Sequence, residues 1–233
     1  MPPMTSQISL TSTTLPPLES GDRLSRPEFE RRYTADPQVK KAELIEGIVY
    51  VASPLRFEQH AQPHNCFATW LGTYAAFTPQ VNAGIEPTVQ LDLDNEVQPD
   101  LVLRIESTVG GQTQLTPEGY LEGAPELVVE IAASSAAIDR GRKQQVYRRS
   151  GVKEYLVWQV FEQRLDWWVL VEGEYQQLLP DTEGIIRSRT FPGLWLNRTA
   201  FVQGQMPQVL QGVQQGMATP EYAAFAADLA AAP

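Results

Sequence analysis

Short stretches of alternating apolar and polar residues recur along the middle of the chain and predict β-strands. Turn-forming residues separate several of them. The stretches on either side of Asp94-Asn95 are predicted to pair as a hairpin, and the last three are predicted to form a meander that turns at Glu172-Gly173. The predicted strands are residues 44–52, 88–92, 97–105, 126–132, 154–160, 164–171 and 175–179.

Helical spacing of apolar residues predicts the other elements. Pro27 and Pro63 fit the first turns of two helices, and Gly151 fits the end of a third. The predicted helices lie within residues 26–41, 59–76, 136–150 and 221–231. Hairpins together with a helix between two strands favour an α/β (α+β) fold, in which helices flank a mixed central sheet.

Size and composition favour one globular domain with terminal extensions. The chain has 233 residues, of which 42% are apolar, and this is enough to bury a substantial core. We predict a flexible lead-in at residues 1–25, a domain at residues 26–200 and a tail rich in Gln and Ala at residues 201–233.

Charge and cysteine content exclude several classes of protein. The net charge of −10 argues against non-specific coating of nucleic acid. Cys66 is the one cysteine, so an intrachain disulfide and a Cys-rich zinc site are excluded and a reducing cytoplasm is expected. No apolar run reaches the roughly 18 residues of a membrane-spanning helix, and no basic segment precedes Arg23, so we expect neither a membrane span nor an export signal.

Two acids interrupt strands that otherwise look buried. Glu130 lies in the apolar run 126–132, and Asp100 follows Pro99 inside the stretch 97–105. A buried carboxylate needs a partner. Glu130 could pair with an arginine at a sheet edge, or both acids could meet across a cleft and hold a hard cation, for which oxygen ligands favour Mg²⁺ or Mn²⁺.

The helix after Glu130 offers a cation. Asp139, Lys143 and Tyr147 are spaced four residues apart and share one helix face. If that face is turned toward the sheet, Lys143 can reach the carboxylates. The alternative is an exposed Asp–Lys pair that contributes only a few tenths of a kcal/mol.

These residues resemble the Uma2 family, described as putative restriction endonucleases, which is similar to the PD-(D/E)XK nucleases. The resemblance covers about residues 26–197 and rests on the order of several short motifs. They are Glu43-Leu44-Ile45-Glu46-Gly47, Ser53-Pro54 with His60, Pro99-Asp100-Leu101-Val102, Pro125 to Ile131, Asp139 with Lys143 and Tyr147, and Gly151 to Tyr155.

The resemblance implies a restriction-endonuclease-like fold and a set of site residues. Asp100 and Glu130 would bind the metal, and Glu43, near the end of the first helix, would be an additional acid. In the usual pattern a lysine follows the second acid by two residues, where this chain has Ala132. Lys143 would replace it, and Asp139, Tyr147 and His60 would support the site.

The function expected from this resemblance is metal-dependent hydrolysis of nucleic-acid phosphodiester bonds, with DNA as the expected substrate, Mg²⁺ or Mn²⁺ as cofactor and a homodimer as the acting form. Two alternatives stay open: a catalytically silent nuclease-fold binding module, and a stable protein whose acids form a structural network. His60 could equally cap or pack its helix. The late aromatic residues, Tyr155, Trp158, Phe161, Trp167 and Trp168, could stack on bases, but packing in the sheet or at a dimer interface accounts for them as well.

Overall fold

The computed structural model describes residues 15–133 and 139–231. The α-helices are α1 (Arg26–Ala35), α2 (Gln62–Phe77), α3 (Gln144–Ser150), α4 (Arg198–Val202), α5 (Met206–Met217) and α6 (Pro220–Ala231). π-helical turns at Phe57–Ala61 and Asp139–Lys143 lead into α2 and α3, and a 3₁₀ turn covers Ser107–Val109. Within these described ranges, no helix is both long and apolar enough to span a membrane.

The strands are β1 (Ala42–Ile45), β2 (Ile48–Val51), β3 (Val81–Ile85), β4 (Val89–Gln90), β5 (Glu96–Val97), β6 (Leu101–Ile105), β7 (Gln114–Leu115), β8 (Leu121–Glu122), β9 (Leu127–Ala132), β10 (Glu154–Gln159), β11 (Arg164–Val171), β12 (Glu174–Gln177), β13 (Ile185–Arg187) and β14 (Trp195–Asn197). They form a main sheet, a second sheet and the small pair β13–β14.

The main sheet has the strand order β12-β11-β10-β9-β6-β3. Its central pair, β9 and β10, is parallel, and the other neighbours are antiparallel. A parallel pair requires a crossover, and here α3 lies in the segment that joins the two strands. The sheet is therefore mixed, as the sequence predicts, and its middle strands carry helices and a second sheet on their faces.

Alternation along β9 divides the core into two layers. Leu127, Val129 and Ile131 belong to one hydrophobic cluster, which includes Trp70 of α2 and Val213 of α5. Val128 and Ala132 belong to another, which includes Val146 of α3 and Val97 of the second sheet. Glu130 has the parity of Val128, so it lies on the face covered by α3 and the second sheet.

The second sheet, in the order β2-β1-β5-β4-β8-β7, corrects two predicted strands. Residues 44–52 form a hairpin instead of one strand, because Glu46 and Gly47 both have positive φ (53° and 69°) and form the two-residue turn between Ile45 and Ile48. The stretch 97–105 is also divided: Val97 ends β5 in this sheet, and β6 begins at Leu101 in the main sheet.

The described parts of the two terminal segments, residues 15–25 and 201–231, contribute buried residues to the core. Leu18, within the predicted lead-in, is buried against Phe29 of α1 and Leu44 of β1. Toward the C-terminus, the sequence predicted one short helix, whereas the structure has α5 and α6. Val209, Val213 and Leu229 of these helices are buried in the main core. The apolar residues of this segment are sparse but fall on the inner face of each helix, which the overall Gln and Ala content conceals.

Candidate active site

The pairing of β6 with β9 brings Asp100 and Glu130 to the same place in the sheet. Leu101 pairs with Val129 and Val102 with Val128 in this antiparallel pair. Continuing the register by one residue puts Asp100 opposite Glu130. Both acids are 3% exposed, so neither can be solvated as a surface carboxylate would be. Each therefore needs charged or hydrogen-bonding partners from neighbouring elements.

Glu130 is bound by two side chains of the crossover segment. The Nζ of Lys143 lies 2.7 Å from Glu130 Oε1, and the hydroxyl of Tyr147 donates to the same oxygen at 2.8 Å. Lys143 is buried, which is rare for a lysine without a charged partner. The predicted face of the helix thus does turn toward the sheet. The side chain of Asp139 lies outside the described residues.

Glu43 joins the same network from β1. Its Oε1 and Oε2 lie 2.9 and 3.1 Å from Lys143 Nζ, and Oε1 also accepts a hydrogen bond from the Gln98 backbone N–H at 2.7 Å. The sequence placed Glu43 near the end of the first helix, but it lies in a strand that pairs with β2 and β5. The Lys143 ammonium consequently lies between two carboxylates, Glu43 and Glu130.

Asp100 has a separate set of partners. Its Oδ2 accepts from the Ile131 backbone N–H at 2.7 Å, while Lys41 Nζ and His60 Nε2 lie 3.3 and 3.2 Å from Oδ1. Burial by itself raises the pKa of Asp100, but the His60 ring, the Lys41 ammonium and the Ile131 N–H outweigh burial and hold that pKa well below its ordinary value. Asp100 is therefore ionised at neutral pH, which is the form in which a carboxylate binds a cation.

Lys41 is a site residue that the sequence did not reveal. Burial lowers its pKa, but the carboxylates of Asp100, Glu43 and Glu130 outweigh burial and raise it, so the ammonium stays charged. In the sequence it is the second residue of a Lys40-Lys41 pair before a strand, and nothing in that pattern distinguishes it from its exposed neighbour. Its position follows from the pairing of β1 with β5, which is a non-local contact.

The charged groups line one cavity of about 590 Å³. Glu43, Asp100 and Glu130 lie on its walls together with Lys41, His60 and Lys143. Arg56, Leu55 and Phe161 also line the cavity, and Phe161 is 66% exposed. Ala132, where the usual nuclease pattern has its lysine, is fully buried in the apolar core.

The late aromatic residues separate into two groups. Tyr155, Trp158 and Trp167 are buried and pack in the core, as the packing alternative predicts. Trp168 packs partly buried against Tyr155, at a centroid distance of 5.9 Å. Phe161 differs from all of these, because it lies exposed in the turn between β10 and β11.

The chain also has an acidic turn, formed by Asp92, Asp94 and Glu96, and one of these acids is buried. Glu96 is 4% exposed. Burial and the neighbouring Glu30 raise the pKa of Glu96 to about 7. Asp92 accepts hydrogen bonds from the Asp94 backbone N–H and the Asn95 side chain, so it shapes the turn.

A mixed sheet with flanking helices, in which two acids lie where β6 and β9 meet, defines an α+β protein. The chain belongs to the Uma2 family, described as "putative restriction endonuclease", whose family model matches residues 26–199. It is similar to the crystal structure of a putative nuclease belonging to DUF820 from Anabaena variabilis, with a TM-score of 0.52 and 12% identity over 78% of this chain and 97% of that chain. No curated protein matches the sequence. These comparisons confirm the predicted family and fold class.

Proposed function

We propose that this protein is a metal-dependent endonuclease that hydrolyses phosphodiester bonds of nucleic acid, with DNA as the substrate. The observation that carries this proposal is the arrangement around Lys143, whose ammonium lies within 3.1 Å of both Glu43 and Glu130. Asp100, which immediately precedes the neighbouring strand β6, lines the same cavity. This arrangement supplies acids for a cation and a fixed positive charge beside them.

The acids fit a magnesium-class ion. Asp100 and Glu130 offer carboxylate oxygens, which Mg²⁺ and Mn²⁺ prefer, and they lie opposite each other at neighbouring strands. A bound divalent ion would stabilise charge on the phosphoryl oxygens and make the attacking water more acidic. Glu43 is held by Lys143 and the Gln98 N–H, so it is positioned to orient that water by accepting its hydrogen bond.

The protein's own cations support the same reaction. Water adds to phosphorus, the P–O3′ bond breaks, and the products are a 5′-phosphate and a 3′-hydroxyl. Negative charge develops on the phosphoryl oxygens during this step, and a preorganised cation in a cavity stabilises it. Lys143 is held in place by Glu43, Glu130 and the surrounding core, so it needs little reorganisation when the reaction occurs.

The chain carries a net charge of −10, so nucleic acid must be attracted by positive side chains close to the cavity rather than by the protein as a whole. Arg56 and Phe161 line the active-site cavity and are exposed. A guanidinium binds phosphate, and an aromatic ring stacks on an unpaired base. These two residues therefore provide a phosphate contact and a base contact beside the acids.

A catalytically silent binding module is the second candidate. It is supported by the charge balance of the cavity, in which Lys143 pairs with Glu43 and Glu130 while Lys41 pairs with Asp100. Such pairs can hold a fold together without a metal. In this case the protein would bind nucleic acid without cutting it.

Cleavage assays of matched variants test the proposal. Purified full-length protein is incubated with supercoiled plasmid and with single-stranded DNA in Mg²⁺ or Mn²⁺. We expect nicking by the parent and by the exposed control Asp94→Asn, and none by Asp100→Asn or Glu130→Gln. Cleavage at parental rates by both site variants would identify a contaminant. Binding without cleavage by the parent would favour the silent module.

We also propose a homodimer that acts in the cytoplasm. Two cuts in a duplex are made most simply by two sites related by twofold symmetry. Sedimentation of the purified chain tests the dimer, and a monomer at micromolar concentration would contradict it. The single free cysteine, Cys66, is compatible with a reducing compartment, and fractionation of cells that express the protein tests its location.

A further inference from the structure

Both histidines of the chain lie together beside the carboxylate cavity. His60 is in the π-helical turn and His64 is in the first turn of α2, four residues later, with ring centroids 5.6 Å apart. Glu86, which follows β3, completes the cluster. One possible metal-binding atom from each of His60, His64 and Glu86 lies within 4.8 Å of the others. The distance is short enough for modest side-chain movements to bring all three to one ion.

The backbone around Asp100 fixes two members of the cluster. The carbonyl oxygen of Asp100 lies 3.0 Å from His64 Nε2 and also accepts from the Glu86 backbone N–H at 3.0 Å. When His64 carries its proton on Nε2, its Nδ1 keeps a lone pair for an ion, and a carbonyl is a common outer partner of metal-binding histidines. Glu86 itself has a φ of +47°, so its backbone adopts the left-handed conformation that is uncommon for residues other than glycine.

His60 supplies an independent observation. Its side chain is buried, with 7% of the residue exposed, yet Nε2 makes no aligned hydrogen bond to any described group. Asp100 Oδ1 lies 3.2 Å away, at ion-pair distance but outside hydrogen-bond alignment. This nitrogen therefore has the Asp100 charge beside it but no aligned hydrogen bond, and a cation bound to the imidazoles would be a stronger partner for it.

We propose that His60, His64 and Glu86 form a second cation site, selective for zinc-class transition metal ions. Two imidazoles and one carboxylate are a donor set that suits Zn²⁺, whereas Mg²⁺ prefers oxygen donors such as those of Asp100 and Glu130. The two sites lie side by side, because His60 and His64 both contact Asp100. This proposal concerns metal binding and does not depend on nuclease activity.

The ammonium of Lys41 would compete with a bound ion for the carboxylates at this site. Its Nζ lies 3.5 Å from Glu86 Oε1 and 3.3 Å from Asp100 Oδ1, so a bound cation would share these carboxylates with an ammonium. Removing that charge while keeping a polar side chain should favour the metal. We therefore expect Lys41→Gln to bind Zn²⁺ more tightly than the parent.

Histidine-selective NMR together with equilibrium dialysis tests the site. The chain has only these two histidines, so no other imidazole contributes to the NMR signals. Full-length protein without a histidine tag is treated with chelator, returned to excess Mg²⁺ and titrated with Zn²⁺. We expect one Zn²⁺ per chain, with shifts of both imidazoles. His64→Gln and Glu86→Gln should each weaken binding by at least about tenfold, the loss produced even by removing an outer contact of a metal site.

Matched variants separate this site from the carboxylate cavity. Glu58→Gln, exposed in the same turn as His60, should leave Zn²⁺ affinity unchanged, and Glu130→Gln should leave the imidazole shifts in place. Imidazole resonances that do not move, or affinity unchanged in both His64→Gln and Glu86→Gln, would overturn the proposal. So would loss of the Zn²⁺ signal in Glu130→Gln, which would assign the ion to the Asp100–Glu130 pair. If the protein bound Zn²⁺ as described but never cut nucleic acid, the proposed nuclease activity would be contradicted and the zinc site would still be supported.

Discussion

The Nζ of Lys143 lies 2.7 Å from Oε1 of Glu130, although the two residues come from different elements. The usual nuclease pattern places this cation on the strand itself, two residues after the acid, where this chain has a buried Ala132. Here the crossover that connects β9 with β10 turns back and supplies the ammonium from above the strand. An ammonium therefore lies beside Glu130, although it comes from a different place in the sequence than the usual pattern would give it.

Replacing Lys143 should separate catalysis from metal binding. We expect Lys143→Met to reduce the cleavage rate by about 100-fold or more, the usual cost of removing one preorganised charge-stabilising group. Mn²⁺ binding should persist or tighten, because Glu43 and Glu130 lose a competing ammonium. Single-turnover cleavage and Mn²⁺ titration measure the two effects.

The control for this substitution is Lys40→Met, which removes an exposed lysine whose Nζ contacts only the Pro37 carbonyl among the described residues. It should cut as the parent does. Full cleavage by folded Lys143→Met would remove Lys143 from the proposed mechanism. Loss of Mn²⁺ binding in that variant would show that the lysine organises the metal ligands instead.

The acids of the site could be predicted because they break a pattern. Glu130 interrupts an apolar strand and Asp100 follows a proline within another, so each stands out in the sequence. Lys143 could be predicted from the helical spacing between Asp139 and Tyr147. Lys41 could not, because its place depends on which strands β1 pairs with, and such non-local pairing leaves no local signature. For the same reason, the sequence did not reveal that Glu86 approaches the histidines.

Local signals also account for the success and failure of the fold prediction. β9 and β10 were predicted because apolar residues, several of them β-branched or aromatic, occupy most of their six positions. The Glu46-Gly47 turn was missed since the strands around it have four residues each and were read as one. Asp100 marks a similar break, where the chain leaves one sheet and enters the other within a few residues.

Glu154 should be important for stability rather than for the proposed chemistry. It is fully buried and accepts hydrogen bonds from the Trp167 indole and the backbone N–H groups of Arg189 and Thr190. Burial raises its pKa, although these donors partly offset the effect. We expect Glu154→Ala to lower the free energy of unfolding by about 3 kcal/mol, since several buried donors lose their acceptor.

Urea denaturation measures this loss. Glu174→Ala is the matched control, because its carboxylate is 76% exposed and pairs with Arg148 at the surface. Such a pair contributes about 0 to 1 kcal/mol. Equal stability of Glu154→Ala and the parent would mean that the segment around Arg189 is held by packing alone.

Glu96 should make the protein less stable as the pH rises through the range from about 4.5 to about 7. Within that range the folded state retains a proton on Glu96 that the unfolded state has lost, so rising pH favours unfolding. Glu96→Gln resembles the protonated acid and can still hydrogen-bond near Glu30. We expect it to raise the free energy of unfolding by about 1 to 2 kcal/mol at pH 8 and to change it little at pH 4.

Urea unfolding at both pH values tests this prediction against Glu118→Gln, whose side chain is exposed. The control should show no dependence of its effect on pH. A Glu96→Gln variant that is less stable than the parent at pH 8 would show that the ionised carboxylate is the form that the fold requires.

Phe161 should contribute to the binding of unpaired bases. It lies four residues beyond Val157, which pairs with Glu130, so it is at most about 13 Å further along the strand direction. That separation is within reach of a base next to the phosphate held at the acids.

Stacking on an aromatic ring contributes about 1 to 3 kcal/mol per base and requires the base to be unpaired. In the Glu130→Gln background, which should not cut, we expect Phe161→Ala to weaken binding of single-stranded DNA by about tenfold and Phe161→Trp to restore it. Duplex DNA should be affected much less. Fluorescence anisotropy measures these affinities, and Phe77→Ala serves as the control because Phe77 is similarly exposed, at 68%, and lies outside the cavity. If Phe161→Ala weakened the binding of single-stranded and duplex DNA equally, Phe161 would make a general contact rather than stack on a base. If Phe77→Ala weakened binding as much as Phe161→Ala does, exposed aromatic surface alone would account for the effect.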